Sequence, residues 1–227
     1  MRTVVFDTET TGLKPGNICQ LAYILIDGDG GLLGTNLFFT VDYVEPGAEN
    51  VHGFSVSMLA GLSGGRRFAD HASKIADDFS SCPQWVAHNF SFDNSFLAAE
   101  YRRQGMFIKP ETSFCTMRHY APIMKLPSRK TGWRGAQPYK YPNLSELMAF
   151  VGVSEDEAME CVRNAFPATE IEPGGHDAPG DLYRYDAPSD MKRYDAPGGI
   201  NRHDARFDCA ATYLCYKKGA AIAHAPV

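Results

Sequence analysis

The sequence predicts a single α/β domain in which helices flank a mixed five-stranded sheet. The chain opens with three short apolar segments separated by turn residues, and strand-like and helix-like segments then follow one another. Its 227 residues are enough for one well-buried domain. Hydrophobic residues make up 44% and charged residues 22% of the chain, a usage typical of globular rather than disordered proteins.

The N-terminal third predicts three consecutive antiparallel strands. The segment "RTVVFDTE", residues 2–9, is rich in Val and Phe and runs into the Gly- and Pro-punctuated turn "TTGLKPGN". The segments "ICQLAYILID" and "GGLLGTNLFFTV" meet at "GDGG", which is a hairpin signal.

The remaining chain predicts helices, two more strands and two irregular segments. Residues 66–82 and 91–105 have helical patterns, and Asn89 or Ser91 is available to cap the second. The other predicted elements are strands over 84–89 and 112–117, a loop over 125–142, a helix over 143–153 capped by Asn143 or Ser145, and a terminal helix over 209–223. We expect Phe207, Ala211, Leu214 and Cys215 to pack this last helix against the sheet.

Residues 176–208 nearly repeat every nine positions, as "HDAPGDLYR", "YDAPSDMKR", "YDAPGGINR" and "HDARFD". Each unit is much shorter than a supersecondary element, and the Pro and Gly content forbids long elements. We therefore predict one domain over residues 1–227, with a loop insertion at about 170–201 that is inert or binds a partner.

Charge and cysteine content restrict the function classes. The formal net charge is −5, so contact with nucleic acid must be local or metal-mediated. The six cysteines contain no C-x-x-C pair and are expected to be reduced and mostly buried. No apolar run approaches the roughly 20 residues of a membrane span, and we expect a soluble, cytoplasmic protein.

Carboxylates at three places are candidate metal ligands. Asp7 and Glu9 are two apart on a predicted strand, so their side chains share one face and suit Mg²⁺ or Mn²⁺; a solvated acidic strand end is the alternative. Asp93 lies in the first turn of a predicted helix, where a purely structural role is common. His203 precedes Asp208 by five residues at the start of the last helix, and His176 precedes Asp181 likewise.

Together the strand D-x-E, the mid-chain Asp and the H-x4-D before the terminal helix resemble the DEDDh 3'-5' exonucleases of the RNase H-like superfamily. "FDTETTGL" is the most specific of these motifs, and the nine-residue repeats depart from the family pattern. The resemblance implies an RNase H-like fold and two divalent cations, Mg²⁺ or Mn²⁺, held by the four carboxylates. It also implies that His203 is the general base, whose usual pKa near 6.5 suits that role.

The resemblance also indicates where the substrate binds. Thr10, Thr11, Gly12 and Leu13 should receive the terminal nucleotide, with backbone N–H groups on the sugar and Leu13 against the base. Asn89 and Phe92 are weaker candidates for the same pocket, and the sequence favours a core position for Phe92. The loop around Trp133 interleaves cations and aromatic rings, as a single-strand groove requires, although a solvated basic loop has the same composition.

The expected function is therefore 3'-5' hydrolysis of single-stranded ends, DNA favoured, to nucleoside 5'-monophosphates. The expected partners are single-stranded DNA or RNA 3' ends and, for proofreading or repair, a polymerase or repair protein acting in trans. The alternatives are an RNA-trimming exoribonuclease or oligoribonuclease, since no motif encodes contact with the 2'-hydroxyl, and an inactive nucleic-acid-binding adaptor. Retention of all four carboxylates and the histidine argues against the adaptor.

Overall fold

The computed structural model describes residues 2–128, 139–166 and 204–223 and contains a mixed five-stranded sheet in the order β3-β2-β1-β4-β5. The strands are β1 (Thr3–Thr10), β2 (Ile18–Ile26), β3 (Leu32–Phe38), β4 (Gln84–Ala87) and β5 (Thr112–Cys115). The described helices are α1 (Pro46–His52), α2 (Val56–Ser63), α3 (Phe68–Ser80), α4 (Phe90–Arg103), α5 (Thr116–Met124), α6 (Leu144–Val151), α7 (Glu155–Ala165) and α8 (Ala205–Ala223).

Strand β1 lies at the centre of the sheet. It pairs antiparallel with β2, which pairs antiparallel with β3, so the predicted antiparallel meander is confirmed. The β2–β3 hairpin closes through the bond from the Asp27 N–H to the Gly31 carbonyl, and Gly30 has the positive φ of 89° that favours glycine. On its other side, β1 pairs parallel with β4, and β4 pairs parallel with β5.

The two faces of the sheet are covered by different helices. Val4 and Phe6 of β1 pack against α3 and α4, where Phe79 lies edge-on to Trp85 at a ring distance of 4.9 Å. Val5, one residue along β1, faces the opposite side and packs against α7 and α8. The alternation of β1 side chains therefore decides which helix each functional residue meets.

The terminal helix packs differently from the expectation. The α8 residues against the sheet are Ala205, Cys209, Ala210 and Tyr213, with Leu214 at the edge. Phe207, Ala211 and Cys215 instead pack against α5, α6 and α7. The prediction failed because the helix is apolar on two sides, and the sequence pattern does not tell which side meets the sheet.

The structure also tests the predicted helix caps and the predicted bounds of the elements. Asn143 caps α6 in a capping box with Glu146, as predicted, whereas Asn89 precedes α4 without a side-chain cap bond. The predicted fifth strand ends at Cys115, directly before α5 begins, and α1, α2, α5 and α7 were not predicted.

All six cysteines are free, and five of them are buried. No helix in the described ranges is long and apolar enough to cross a membrane. The insertion at about 170–201 lies outside the described residues.

Candidate active site

Strand β1 carries two acidic side chains at the point where it leaves the sheet. Its parallel pairing with β4 is present from Thr3 to Val5, and its register with β2 shifts directly after Glu9. Asp7 and Glu9 project from the same face and stay partly exposed, whereas Thr8 and Thr10 are buried. The two carboxylates therefore face a gap that opens where the neighbouring strands diverge.

Helix α8 brings a third carboxylate to this gap. Asp208 lies in the first turn of α8, and the next residue, Cys209, is buried with its Sγ 3.2 Å from the carbonyl oxygen of Val5. One carboxylate oxygen from each of Asp7, Glu9 and Asp208 lies within 4.8 Å of the others. The structure therefore joins the two ends of the chain at one acidic cluster, as the motifs predict.

Asp93 reaches the same cavity from the other side of β1. It is buried in the first turn of α4, and its Oδ1 accepts hydrogen bonds from the N–H of Thr8 at 3.1 Å and from the Thr8 hydroxyl at 2.8 Å. Thr8, which sequence reasoning missed, thus anchors Asp93 to β1 between Asp7 and Glu9. Asp93 lies in the wall of the site, beside the tighter group of three.

Burial and mutual repulsion disfavour ionisation of the cluster. Burial raises the pKa of Asp7 well above its usual value, and the charges of Asp93, Asp208 and Glu9 raise it further. Burial, followed by the charges of Asp204 and Asp93, raises the pKa of Asp208 to about 7. The pKa of Asp93 rises to about 6 because of burial, although its bonds from Thr8 oppose the shift.

The donor set fits a divalent cation. Asp7, Glu9 and Asp208 offer three hard carboxylate oxygens on rigid elements, and these are the ligands that Mg²⁺ and Mn²⁺ prefer. A cation would also remove the repulsion that raises their pKa values. The described residues therefore supply the kind of oxygen ligands that a divalent cation requires.

An open cavity of about 190 Å³ lies over the acidic cluster. Its lining comprises the carboxylates of Asp7, Glu9, Asp93 and Asp208, the polar residues Thr8, His88 and Asn89, and the apolar residues Val51, Phe92 and Leu144. Asn89 and Phe92 line this cavity, whereas Thr10, Thr11, Gly12 and Leu13, which were expected in the same pocket, are not among its lining residues. Phe92 also packs against the core through Phe96, so it both lines the cavity and contacts the core.

The residues of the turn after β1, which were expected to bind the terminal nucleotide, differ in their burial and hydrogen bonding. Thr10 and Thr11 are buried, and the Thr11 N–H already donates to the Asn17 carbonyl at 3.0 Å, so this N–H is engaged within the turn. Leu13 is 84% exposed and therefore does not pack under a loop. Gly12 allows close approach of Glu45, because a Cβ at Gly12 would lie 2.4 Å from that carboxyl group.

His88, which sequence reasoning did not select, fastens three segments together beside the cavity. Its Nε2 lies 3.1 Å from the Pro142 carbonyl, which can only accept, so Nε2 carries the proton and Nδ1 accepts from the Thr116 hydroxyl at 2.9 Å. Burial lowers the pKa of His88 to about 4. The position of this histidine directly after β4 and before Asn89 was the available signal. His203 and Trp133 lie outside the described residues.

The exonuclease family model RNase_T matches residues 4–158. A comparison with curated protein sequences finds no significant match.

Solved structures with the same fold are also exonucleases. Exonuclease X in complex with 5' overhanging duplex DNA is 17% identical with a TM-score of 0.54, and the match covers 96% of this chain and 92% of that one. E. coli Exonuclease I with a dT13 oligonucleotide is 16% identical with a TM-score of 0.60, over 95% of this chain and 40% of that one. Exonuclease I from Methylocaldum szegediense is 18% identical with a TM-score of 0.51, over 80% and 38%. This chain thus spans about two fifths of Exonuclease I.

Proposed function

The chain belongs to the RNase_T exonuclease family, the DEDD-type 3'-5' exonucleases of RNase H-like fold, and we propose that it hydrolyses single-stranded ends, with DNA favoured, to nucleoside 5'-monophosphates. The observation that carries the proposal is the grouping of Asp7, Glu9 and Asp208 within 4.8 Å at the floor of the cavity. Such a cluster is costly to the fold unless its charges are neutralised, which supports a catalytic role over a structural one.

Four carboxylates are proposed to hold two divalent cations, Mg²⁺ or Mn²⁺. Asp7, Glu9 and Asp208 would hold one; Asp7 would contribute to both, and Asp93 would hold the other directly or through water. When bound, the cations make a water molecule nucleophilic and stabilise the leaving 3' oxygen. The bonds from Thr8 keep Asp93 oriented toward the cavity, so this ligand need not be ordered on binding.

His203 is the proposed general base. It stands two residues before Ala205, the first residue of α8, and five before Asp208. A residue just ahead of the helix can face the same cavity as Asp208, whereas five residues within a helix correspond to a rotation of ~140°. A neutral imidazole there would accept the proton of the attacking water at neutral pH.

The cavity is proposed to receive the 3'-terminal nucleotide. Val51, Phe92 and Leu144 provide apolar surface above the carboxylates, which suits a base and sugar, and Asn89 provides a polar contact. The exposed Leu13 is proposed to lie against the terminal base, with Thr10, Thr11 and Gly12 forming its turn. Upstream nucleotides would then follow the cationic and aromatic loop around Trp133.

The biological partners are part of the same proposal. Single-stranded DNA or RNA 3' ends would be the substrates, and a polymerase or repair protein would act in trans. One solved E. coli Exonuclease I structure is a complex with ssDNA, and another Exonuclease I structure is a complex with SSB-Ct. The nine-residue repeats are proposed to belong to a loop insertion in a single exonuclease domain.

The decisive experiment uses single-stranded DNA and RNA labelled at either end, incubated with the protein in Mg²⁺, Mn²⁺ or EDTA. We expect the 3' label to be released first as a mononucleotide, DNA to be degraded faster, and EDTA to stop the reaction. Faster degradation of RNA would identify the exoribonuclease alternative. Binding without any cleavage, in a folded preparation with either metal, would identify the adaptor.

A further inference from the structure

A buried polar network lies under the first turn of α8, next to the acidic cluster but outside the cavity. Gln20 of β2 donates from Nε2 to Asp204 Oδ1 at 3.0 Å and to Asn36 Oδ1 of β3 at 2.9 Å. The Oε1 of the same side chain accepts from the N–H of Ala205 at 3.2 Å. Gln20 is fully buried and Asp204 is 2% exposed. One glutamine amide thus connects two strands to the start of the helix.

Asp204 caps this helix. Its Oδ1 accepts from the N–H of Arg206 at 2.9 Å, and its carboxylate pairs with the Arg206 guanidinium at 2.6 Å. The Asp204 carbonyl then accepts from the N–H of Asp208 at 3.2 Å. The N–H groups of Ala205 and Arg206, which have no partner within a helix, are therefore satisfied by Gln20 and Asp204.

The network is adjacent in register to a proposed metal ligand. Gln20 is the direct cross-strand partner of Glu9, so the residue that holds the helix and the residue that holds the cation stand side by side on one face of the sheet. Asp208 follows Asp204 by one helical turn. The same hydrogen bonds thus define the distance between Asp208 on α8 and Glu9 on β1.

Apolar packing alone defines this distance poorly. The α8 residues that meet the sheet near Asp208 are the small residues Ala205, Cys209 and Ala210. Small apolar surfaces interact without directionality and tolerate sliding of a helix, whereas hydrogen bonds to a buried amide and carboxylate prescribe position and orientation. A metal site requires its ligands to be held within about 0.5 Å.

We propose that Gln20 and Asp204 are positioning residues that hold the first turn of α8 in register with β1, so that Asp208 completes the metal site with Asp7 and Glu9. The inference rests on the proposed function, because it concerns the affinity of that site for its cation. It assigns to the Asp directly after His203 a role separate from proton transfer.

The test is direct titration of the variants with Mn²⁺ by calorimetry, together with thermal unfolding in EDTA. Gln20→Met keeps the length and neutrality of the side chain and removes its hydrogen bonds. We expect it to weaken Mn²⁺ binding by roughly 10- to 100-fold, the range found for residues that orient metal ligands. The control is Tyr216→Phe, which removes the 2.8 Å bond from the Tyr216 hydroxyl to Gln84 farther along the same helix. It should lower the unfolding temperature and leave Mn²⁺ affinity unchanged.

Variants of Asp204 distinguish the positioning role of this residue from an effect of its negative charge on Mn²⁺ binding. They also test the proposal if Gln20→Met does not fold. Asp204→Asn keeps an acceptor oxygen for the Arg206 N–H and Gln20 and should bind Mn²⁺ within a few fold of the wild type, whereas Asp204→Ala should resemble Gln20→Met. Equal losses for Asn and Ala would overturn the proposal in favour of a charge effect. Unchanged Mn²⁺ affinity in folded Gln20→Met or Asp204→Ala would overturn it outright.

A further variant keeps the two proposals apart. Asp7→Asn removes a proposed ligand, so it should abolish strong Mn²⁺ binding. If Asp7→Asn binds Mn²⁺ like the wild type, the proposed metal site is wrong. If Asp7→Asn loses binding while Gln20→Met and Asp204→Ala retain it, the site is right and the positioning role is wrong.

Discussion

At the scale of single residues, the site depends on charges that the fold alone does not neutralise. For Asp7, burial and four neighbouring carboxylates all raise the pKa. The fold tolerates this cluster because β1 and α8 are held by contacts elsewhere, among them Val5 and Cys209. The acidic cluster therefore destabilises the fold locally, and packing elsewhere in the protein compensates for that loss of stability.

The first prediction concerns Asp7→Asn. An amide of the same shape cannot hold two cations, so hydrolysis should fall by orders of magnitude while the fold stays intact. Stability in EDTA should rise, because the substitution removes one of the mutually repelling negative charges of the acidic cluster. Turnover and urea unfolding measure the two effects. The exposed Asp42→Asn is the control and should keep wild-type turnover; near-normal turnover of folded Asp7→Asn would refute the two-metal interpretation.

A second residue-scale prediction is a pH dependence of the metal-free protein. The folded pKa of Asp208 is raised to about 7, above the usual value near 4, so the folded state binds this proton more tightly than the unfolded state. Its stabilising contribution is complete below about pH 4 and is lost as pH rises through 7. In EDTA, the free energy of unfolding of Asp208→Asn relative to the wild type should therefore increase over this range, by on the order of 3 kcal/mol.

Urea denaturation in EDTA from pH 4.5 to 8 measures this difference. Saturating Mg²⁺ should reduce it, since a cation neutralises the carboxylates. Parallel stability curves for the two proteins in EDTA would show that Asp208 ionises as freely when folded as when unfolded, and the proposed electrostatics of the cluster would be wrong.

At the scale of elements, α8 is the reason for which we propose His203 and Asp208, and not His176 and Asp181, as the functional pair. Asp208 lies on a 19-residue helix packed against both the sheet and α5–α7. Asp181 lies outside the described residues, and in the sequence Pro188, which cannot continue a helix, follows it by seven residues. The first three repeat copies are therefore interpreted as duplications of the segment that opens α8.

Alanine variants test this assignment. His203→Ala should lower kcat by roughly 10² to 10⁴, as expected for a general base. His176→Ala and Asp181→Ala, the matched pair in the first copy, should stay within a few fold of the wild type. The measurement is kcat at saturating substrate and metal. The reversed pattern would mean that the third motif has been placed on the wrong copy.

At the scale of the whole molecule, the acidic site must receive a polyanion although the chain has a net charge of −5. The cations of the site and local basic residues must therefore supply the attraction, because the field of the protein does not. The loop around Trp133 concentrates such residues in sequence between Lys125 and Lys140. Its central part, residues 129–138, lies outside the described residues.

The combined variant Trp133→Ala with Lys130→Ala tests this loop. If it holds the strand beyond the cavity, KM for oligonucleotides should rise by a factor that shrinks at high salt, because phosphate contacts are screened. Dinucleotides are too short to reach the loop and should be cleaved with unchanged kcat and KM. Equal losses on both substrates would instead indicate a folding defect.

Local patterns in the sequence determined much of this protein. The strand around Asp7, the "GDGG" hairpin and helices α3 and α4 each depend on interactions between residues close together in the sequence. Their patterns can therefore be recognised from the sequence alone. The motifs also predicted that Asp7, Glu9 and Asp208 meet. The short helices α1, α2 and α7 were missed, since seven to eleven residues carry too little periodicity for assignment without their packing partners.

Only the tertiary structure decided the remaining features, because they join residues far apart in the chain. Thr8 holds Asp93 across 85 positions, and Gln20 holds Asp204 across 184. Which side of α8 faces the sheet also depended on the competing surface of α5–α7. A buried polar side chain requires a hydrogen-bond partner and an apolar side chain requires a packing partner. Which residue becomes that partner depends on the three-dimensional arrangement of the whole chain.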